Sequence, residues 1–216
     1  MKLHRMDHLA FWEEDCPRDT FERWCGQKET WKREIGSVIS TMKLKSVLDI
    51  GCGTGIMKHI IDDEPNQVER YLGLEITPSF IDSCNEEGIP AQFGDIRNLQ
   101  SFKDREFDCV LCLDVLNHQK EDPRPLLDEM LRVTNKLLVI SFFKQFLNKH
   151  EEPRVEYKHH NMIYAFWPQE LLTDHLERPY YGPPVSRGIS WRFLSRPCDP
   201  GKMPKPPTLF IMRETV

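Results

Sequence analysis

The stretch Val47-Leu48-Asp49-Ile50-Gly51-Cys52-Gly53-Thr54-Gly55 decides the fold class of this chain. A mostly apolar run is followed by three alternating glycines, and a helix-like segment comes next. Glycine is needed where the backbone turns tightly or where a ligand lies against the main chain. A strand that ends in this way predicts backbone N–H groups at the carboxyl edge of a parallel sheet, where open α/β sheets bind nucleotides.

The spacing of these glycines narrows the class of ligand. A dinucleotide-binding strand is followed by G-x-G-x-x-G, whereas the sixth position here is Ile56 and the third glycine comes one place earlier, at Gly55. The G-x-x-x-x-G-K-[ST] string of a P-loop does not occur in the chain. The string from Asp49 to Gly55 resembles motif I of the class I S-adenosylmethionine (SAM)-dependent methyltransferases. This resemblance implies SAM as the cofactor.

Strand and helix signals alternate along the chain from residue 47 to residue 142. We predict strands at 47–50, 71–75, 91–93, 107–113 and 136–142, and helices at 56–61, 79–87 and 125–133. Such alternation predicts a doubly wound α/β fold with a mostly parallel, Rossmann-like sheet. A further predicted helix at 168–176 and predicted strands at 189–194 and 208–212 fit the antiparallel last strand that the resemblance implies.

The length of 216 residues fits one domain, 1–216, which we divide into three parts. Residues 1–40 are interpreted as an N-terminal helical lid, 45–142 as the SAM-binding core, and 143–216 as a substrate-side insertion with the final helix and strands. Four residues of the first part fall at helical spacing: Phe21, Trp24, Lys28 and Trp31. Whether this helix only packs on the sheet or also covers the cofactor stays open.

Composition argues against several classes of protein. The net charge of −5 gives no general footprint for nucleic acid or a membrane surface. The first residues lack the apolar segment of a signal peptide, and no apolar run approaches the ~20 residues of a membrane span. Seven cysteines without framework spacing indicate reduced thiols, which predicts a cytoplasmic protein.

One cysteine pair formally matches a C-x-x-C metal motif. Cys109 and Cys112 lie on a predicted apolar strand, where residues three apart point to opposite faces of the sheet. Neither a second C-x-x-C nor a suitably spaced histidine pair completes a zinc site. We therefore expect no metal.

The methyltransferase resemblance assigns cofactor-binding roles to particular residues. Asp49 orders the glycine loop through backbone N–H groups, contacts the SAM ammonium through water, or is a structural turn residue. Glu75 ends the second strand and is expected to accept hydrogen bonds from both ribose hydroxyls, and Ile76 is expected to pack on the adenine. Asp95 is expected to accept from the adenine amine and Ile96 to present a backbone group, although an acid after glycine is also an ordinary turn residue.

The end of the predicted fourth strand resembles motif IV of the same family. Leu113 and Asp114 are expected beside the transferred methyl group, and Asp114 is, with His118, a candidate catalytic residue. His118 is a candidate for orienting or deprotonating the acceptor, but it can equally cap a helix or bond to the backbone, and we slightly favour the structural role. The predicted cofactor-binding set is Asp49, Gly51, Cys52, Gly53, Gly55, Glu75, Ile76, Asp95, Ile96 and Leu113.

Residues 142–167 are expected to set the acceptor specificity. Aromatic and cationic side chains alternate there, which suits a ring-bearing or anionic acceptor, but a solvated insertion covering the sheet edge explains them as well. Before the fifth strand, residues 133–136 replace the Lys-Pro-Gly-Gly of the family. We expect a turn at this point, since asparagine tolerates left-handed φ values.

These observations predict a SAM-dependent methyltransferase that acts on an O, N or C nucleophile of a small-molecule acceptor. No nucleic-acid or membrane partner is expected, and the sequence does not indicate an oligomeric state. One alternative is a SAM-binding scaffold or partner subunit without catalysis. The other is an NAD(P)-dependent oxidoreductase, against which Ile56 argues, because a dinucleotide fingerprint has glycine at that position.

Overall fold

A computed structural model describes residues 21–22, 30–142, 147, 150–157, 163–177, 189–194 and 207–213, with the backbone alone for residues 193 and 194. The helices are α1 (Thr30–Thr41), α2 (Ile56–Asp62), α3 (Pro78–Glu86), α4 (Pro123–Val133) and α5 (Gln169–Glu177), with a 3₁₀ turn at Leu116–His118. The strands are β1 (Ser46–Ile50), β2 (Arg70–Glu75), β3 (Ala91–Phe93), β4 (Phe107–Leu113), β5 (Thr134–Ser141), β6 (Arg154–Tyr157), β7 (Ile163–Phe166), β8 (Ile189–Leu194) and β9 (Thr208–Arg213).

Seven of these strands form one sheet in the order β3-β2-β1-β4-β5-β9-β8. The pairs β1–β2, β2–β3 and β4–β5 are parallel, whereas β9 runs antiparallel to both β5 and β8. The predicted doubly wound, mostly parallel sheet with an antiparallel last strand is confirmed. The described residues fall into two compact units, one up to Asn98 and one from Leu99 onward.

In the first unit, the helix α1 packs through an apolar stripe. Trp31, Ile35 and Ile39 recur at every fourth position and are buried, as expected for one face of an amphipathic helix. A Cβ atom at Gly36 would come within 2.7 Å of Ile60 Cγ2 on α2. Glycine at this position therefore lets the two helices approach closely.

In the second unit, the strands β4 and β5 form the centre of the core. Residues 109–112 and 137–140 are fully buried, as expected for parallel strands covered on both faces. Asp122 caps α4 by accepting a hydrogen bond from Arg124 N at 3.0 Å, and Pro123 occupies the first turn, where its missing N–H has no cost.

The structure corrects the expected turn before the fifth strand. Helix α4 ends at Val133 and β5 begins at Thr134, two residues earlier than predicted. Asn135 lies within the strand, and its side chain donates to Asp108 Oδ1 at 3.0 Å. The helix therefore passes directly into the strand, and no left-handed residue is needed at this junction.

A second difference concerns the segment that was expected to set acceptor specificity. It contains the antiparallel strands β6 and β7, which form a separate two-stranded sheet.

Trp24 and Lys28 of the proposed lid lie outside the described residues. In the parts of the chain that the structure describes, no helix combines the length and apolar character needed to cross a membrane.

Candidate active site

The glycine loop in the first unit adopts a backbone that favours glycine at three positions. Gly51, Gly53 and Gly55 have φ values of 70°, 55° and 87°, in the left-handed region that other residues rarely adopt. The loop is tied to the end of β2, because Leu74 O accepts hydrogen bonds from Gly51 N at 2.7 Å and from Cys52 N at 3.2 Å. The predicted glycine loop therefore lies at the carboxyl end of the parallel strands.

Glu75 at the end of β2 is bonded directly to this loop. Its Oε2 accepts from Gly53 N at 2.9 Å, and its Oε1 accepts from Ile76 N at 2.8 Å and Thr77 N at 3.0 Å. Burial raises the pKa of the carboxyl group, and the three backbone donors oppose that rise. The carboxylate is consequently fixed in one orientation at the loop.

Asp49 bonds to a side chain of the neighbouring strand. Its carboxylate accepts a 2.6 Å hydrogen bond from the hydroxyl of Tyr71 on β2. Burial raises the pKa of Asp49 to about 6; the Tyr71 bond opposes this rise, Glu75 adds to it, and Lys32 opposes it. Among the described residues, backbone N–H groups of the loop bond to Leu74 and Glu75 rather than to this carboxylate.

Two buried thiols hold the other side of the glycine loop. The Sγ atoms of Cys52 and Cys84 donate to the carbonyl oxygen of Gly53, at 3.7 and 3.3 Å. The hydrogen bond with Cys84, followed by burial, raises the pKa of Cys52, so this group stays protonated. Cys52 therefore packs as a small apolar residue, and its side chain has no nucleophilic character here.

The predicted adenine residues follow β2 and β3. Both oxygens of Asp95 are engaged by Arg97, which donates from its backbone N at 2.8 Å, from Nε at 2.9 and 3.1 Å, and from Nη2. Ile76 is half-buried and Ile96 is buried. Arg97 therefore occupies most of the acceptor capacity of Asp95.

In the second unit, Asp114 adopts a strained backbone directly after β4. Its φ of 60° lies in the left-handed region, which usually costs a non-glycine residue about 1–2 kcal/mol. The Ser141 hydroxyl, fully buried at the end of β5, donates to Asp114 Oδ1 at 2.7 Å and accepts from Asp114 N at 3.1 Å. Ser141 thus holds both the backbone and the carboxylate of Asp114.

His118 is bonded to the main chain of β7. Its Nδ1 lies 2.8 Å from Ile163 O, and because a carbonyl oxygen only accepts, this nitrogen carries the proton. The neighbouring Asn117 donates to Ala165 O at 3.3 Å. The His118 ring lies 5.4 Å from that of Tyr164, measured between centroids. Adjacent side chains therefore dock the 3₁₀ turn onto alternate carbonyls of β7.

Comparison with known proteins identifies the type of domain. Residues 48–137 match the family described as "Methyltransferase domain". The chain is 28% identical over 134 residues to the O-methyltransferase resE of Aspergillus sclerotiorum, an alignment that covers 58% of this chain and 48% of that protein.

Solved structures agree on the fold. The sugar N-methyltransferase KedS8 from Streptoalloteichus sp ATCC 53650 superposes with a TM-score of 0.62 at 17% identity, over 92% of this chain and 93% of that one. The N-terminal domain of EvdMO1 with SAH (S-adenosylhomocysteine) bound gives a TM-score of 0.60 at 15% identity, over 88% and 82%.

This chain is similar to the class I SAM-dependent methyltransferases, and its residues 48–137 carry the match to their domain. It spans about half the length of the curated relatives it matches.

The residues around the glycine loop fit the ribose of SAM, judged by the number of hydrogen bonds that Glu75 can accept. A carboxylate has about four lone-pair sites, and three of them receive backbone N–H groups. Oε2 keeps one site for a hydroxyl donor. A second hydroxyl bond requires Glu75 to release one backbone donor, or to share a lone pair between two donors.

Sequence reasoning missed several residues that hold the predicted site residues in place. Tyr71 could have been found, because it pairs with Val47 across β1 and β2. Residues two apart on a strand share a face, so Tyr71 lies on the same face of the sheet as Asp49. Arg97 follows Asp95 at a spacing typical of local ion pairs, so it could also have been found. Ser141 gave no signal, because its role depends on the pairing of β4 with β5.

Proposed function

We propose that this chain transfers a methyl group from SAM to an O, N or C nucleophile of a small molecule. The observation that carries the proposal is the hydrogen bond between Gly53 N and Glu75 Oε2. It joins the glycine loop to the buried acid in one preformed unit, and a preformed unit limits the entropy that binding must overcome.

The cofactor supplies the reactive group, and the protein supplies binding and alignment. When bound, SAM provides a sulfonium-activated methyl group that a nucleophile can displace directly. Glu75 would accept from the ribose, Ile76 and Ile96 would border the adenine, and the glycines would let the backbone approach the amino-acid part. No covalent enzyme intermediate is required, so neither a serine nor a cysteine nucleophile is proposed.

The acceptor is proposed to be a small molecule with a hydroxyl or amino group. The resE relative is named an O-methyltransferase, and the structural neighbour KedS8 is named a sugar N-methyltransferase. Hydroxyl compounds are the first acceptors to test, because the resE relative is the more similar in sequence.

Two roles remain for His118 on the acceptor side. With the proton on Nδ1, the lone pair lies on Nε2, which is the form a general base needs. The same Nδ1 bond also braces the 3₁₀ turn against β7. We favour bracing, because displacement on an activated methyl group can proceed through alignment of the acceptor alone.

A SAM-binding subunit without catalysis is the second candidate function. Both candidate catalytic side chains form hydrogen bonds within the protein, which favours this second function. Asp114 accepts from the Ser141 hydroxyl, and His118 donates to Ile163 O. Such side chains would then be structural, and the domain would act by binding SAM and a partner.

The proposal is tested by binding followed by turnover. Calorimetry should show saturable binding of SAM and SAH and no binding of NAD. Incubation with methyl-labelled SAM and a panel of phenols, sugars and amines should then release SAH and label one acceptor. Binding of SAM without turnover on any acceptor class favours the non-catalytic candidate, and binding of NAD alone would overturn the assignment.

A further inference from the structure

Phe21 lies directly on the glycine loop. A Cβ atom built on Gly53 would meet Phe21 Cζ at 2.3 Å and Cε1 at 2.6 Å, so the ring covers the Cα face of this glycine. The same ring packs against Phe80 of α3, with centroids 4.4 Å apart and an interplanar angle of 38°. Phe80 is almost fully buried, which anchors the pair.

Gly53 is therefore held through each part of its backbone. Its N–H donates to Glu75, its carbonyl accepts from the thiols of Cys52 and Cys84, and its Cα lies against the ring of Phe21. Its φ of 55° lets the carbonyl and the N–H reach these partners. Among these interactions, the one with Phe21 comes from the N-terminal segment that precedes α1.

We propose that Phe21 is a positioning residue of the cofactor site: it presses Gly53 into the conformation that keeps the Gly53 N–H on Glu75. This inference rests on the proposed binding of SAM. Glu75 can present its remaining acceptor site in a fixed direction only while the loop donor stays in place. Phe21 thus acts on the cofactor through Gly53 and Glu75.

The alternative to positioning is that the ring of Phe21 competes with the cofactor. A ring lying on the loop that covers part of the cofactor surface would have to move before SAM binds. Removing such a ring would raise the affinity, whereas removing a positioning ring lowers it. Packing on the buried Phe80 favours positioning, because displacement of Phe21 would expose both aromatic faces to water.

The test compares Phe21→Ala with a matched truncation elsewhere. Phe102 is also a half-buried phenylalanine that packs on a buried one, Phe107, at 5.5 Å between centroids. Phe102→Ala should therefore cost similar stability without touching the glycine loop. Phe21→Leu, which keeps an apolar side chain over Gly53, serves as the conservative variant.

We expect Phe21→Ala to weaken SAH binding by about tenfold in calorimetry, because the Gly53 N–H is then no longer held on Glu75. Phe21→Leu should bind within about threefold of the wild type, and Phe102→Ala should bind like the wild type. Amide hydrogen exchange at Gly53 should become faster in Phe21→Ala and stay unchanged in Phe102→Ala. A melting temperature for each variant separates this effect from general unfolding.

The outcomes distinguish this inference from the proposed function. Unchanged or stronger SAH binding in a folded Phe21→Ala variant overturns the positioning role, and stronger binding shows that the ring competes with the cofactor. If the wild type does not bind SAH, the proposed function fails, and exchange at Gly53 still decides whether Phe21 holds the loop. Equal losses in Phe21→Ala and Phe102→Ala would reduce the role of Phe21 to general stability.

Discussion

Glu75 is the residue on which the cofactor site depends most. Alanine at this position would leave three backbone donors without an acceptor, at about 1–3 kcal/mol for each buried group, so it tests stability and binding together. These three donors make Glu75 part of the folded structure as well as of the candidate site. Glutamine is the sharper probe, because it keeps one acceptor oxygen.

We predict that Glu75→Gln weakens SAM binding by roughly 1.5–3 kcal/mol, the usual range for hydrogen bonds to a charged group. The amide nitrogen of glutamine donates and does not accept, so it cannot replace a Glu75 oxygen that receives Gly53 N or a ribose hydroxyl. Calorimetry measures the affinity, and a thermal melt verifies the fold. Wild-type affinity in a folded Glu75→Gln variant would remove this residue from the ribose site.

Asp49 predicts a dependence of stability on pH. Burial raises its folded pKa from 3.8 to about 6, so between these values the folded state holds the proton more tightly than the unfolded chain does. The contribution of Asp49 to stability is therefore full below about pH 4, falls as the pH rises, and is lost above about pH 6. The difference across this window is roughly 3 kcal/mol.

Urea denaturation from pH 4 to pH 7 measures this effect by comparison with Asp49→Asn. The variant keeps an oxygen for the Tyr71 hydroxyl and does not titrate. The free energy of unfolding of the wild type, relative to the variant, should decrease over this range. A difference that is flat, or that increases with pH, would contradict the raised pKa.

The His118→Asn variant distinguishes general-base catalysis from simple alignment of the acceptor. If it removes a proton from the acceptor, His118→Asn should lower turnover by ~10²-fold or more with normal SAM affinity. We expect the smaller effect, a loss below about tenfold together with a lower melting temperature, because the Nδ1 bond to Ile163 O braces the 3₁₀ turn. A folded, SAM-competent variant with almost no turnover would show that His118 is the base.

At the scale of elements, the Ser141 hydroxyl joins the ends of β4 and β5 through hydrogen bonds to Asp114. Ser141→Ala removes both side-chain bonds to Asp114 and leaves its left-handed backbone less supported. We predict a stability loss of about 1–3 kcal/mol and a lower kcat with unchanged SAM affinity. Turnover kinetics and calorimetry measure these two effects.

Thr134→Val is the matched control for that variant. Thr134 lies at the opposite end of β5, is buried, and donates a single 2.6 Å bond to Met130 O. Its loss should lower stability to a similar degree while kcat stays normal. If both variants lose kcat equally, the Ser141–Asp114 contact has no special part in turnover.

The helices and strands themselves were largely predictable from the periodicity of apolar residues and from the residues that bound each element. Strand β4 has the bounds predicted for it, because its mostly apolar run is bounded by Glu106 and Asp114. The hairpin of β6 and β7 was missed because aromatic and charged residues obscure its alternation. The contacts of Ser141 and Phe21 depend on distant pairing and packing, which a local pattern does not carry.

At the scale of the whole molecule, the mostly parallel sheet and the glycine loop were predictable from the sequence, and the hydrogen bonds inside the candidate site were not. The string from Asp49 to Gly55 predicted a resemblance to class I methyltransferases, and the comparisons confirm that resemblance. The partners of Asp49 and Asp95 were not predictable, because a carboxylate bonds to whichever donor the fold brings near. The assignment of each residue to a part of SAM stays a prediction.

Amide chemical shifts during a titration with SAH test the central claim most directly. The account predicts saturable shifts at residues 51–55 and at Glu75 and Ile76, with one SAH bound for each chain, and no such shifts with NAD. The absence of shifts with SAH, or shifts confined to other parts of the chain, would contradict it.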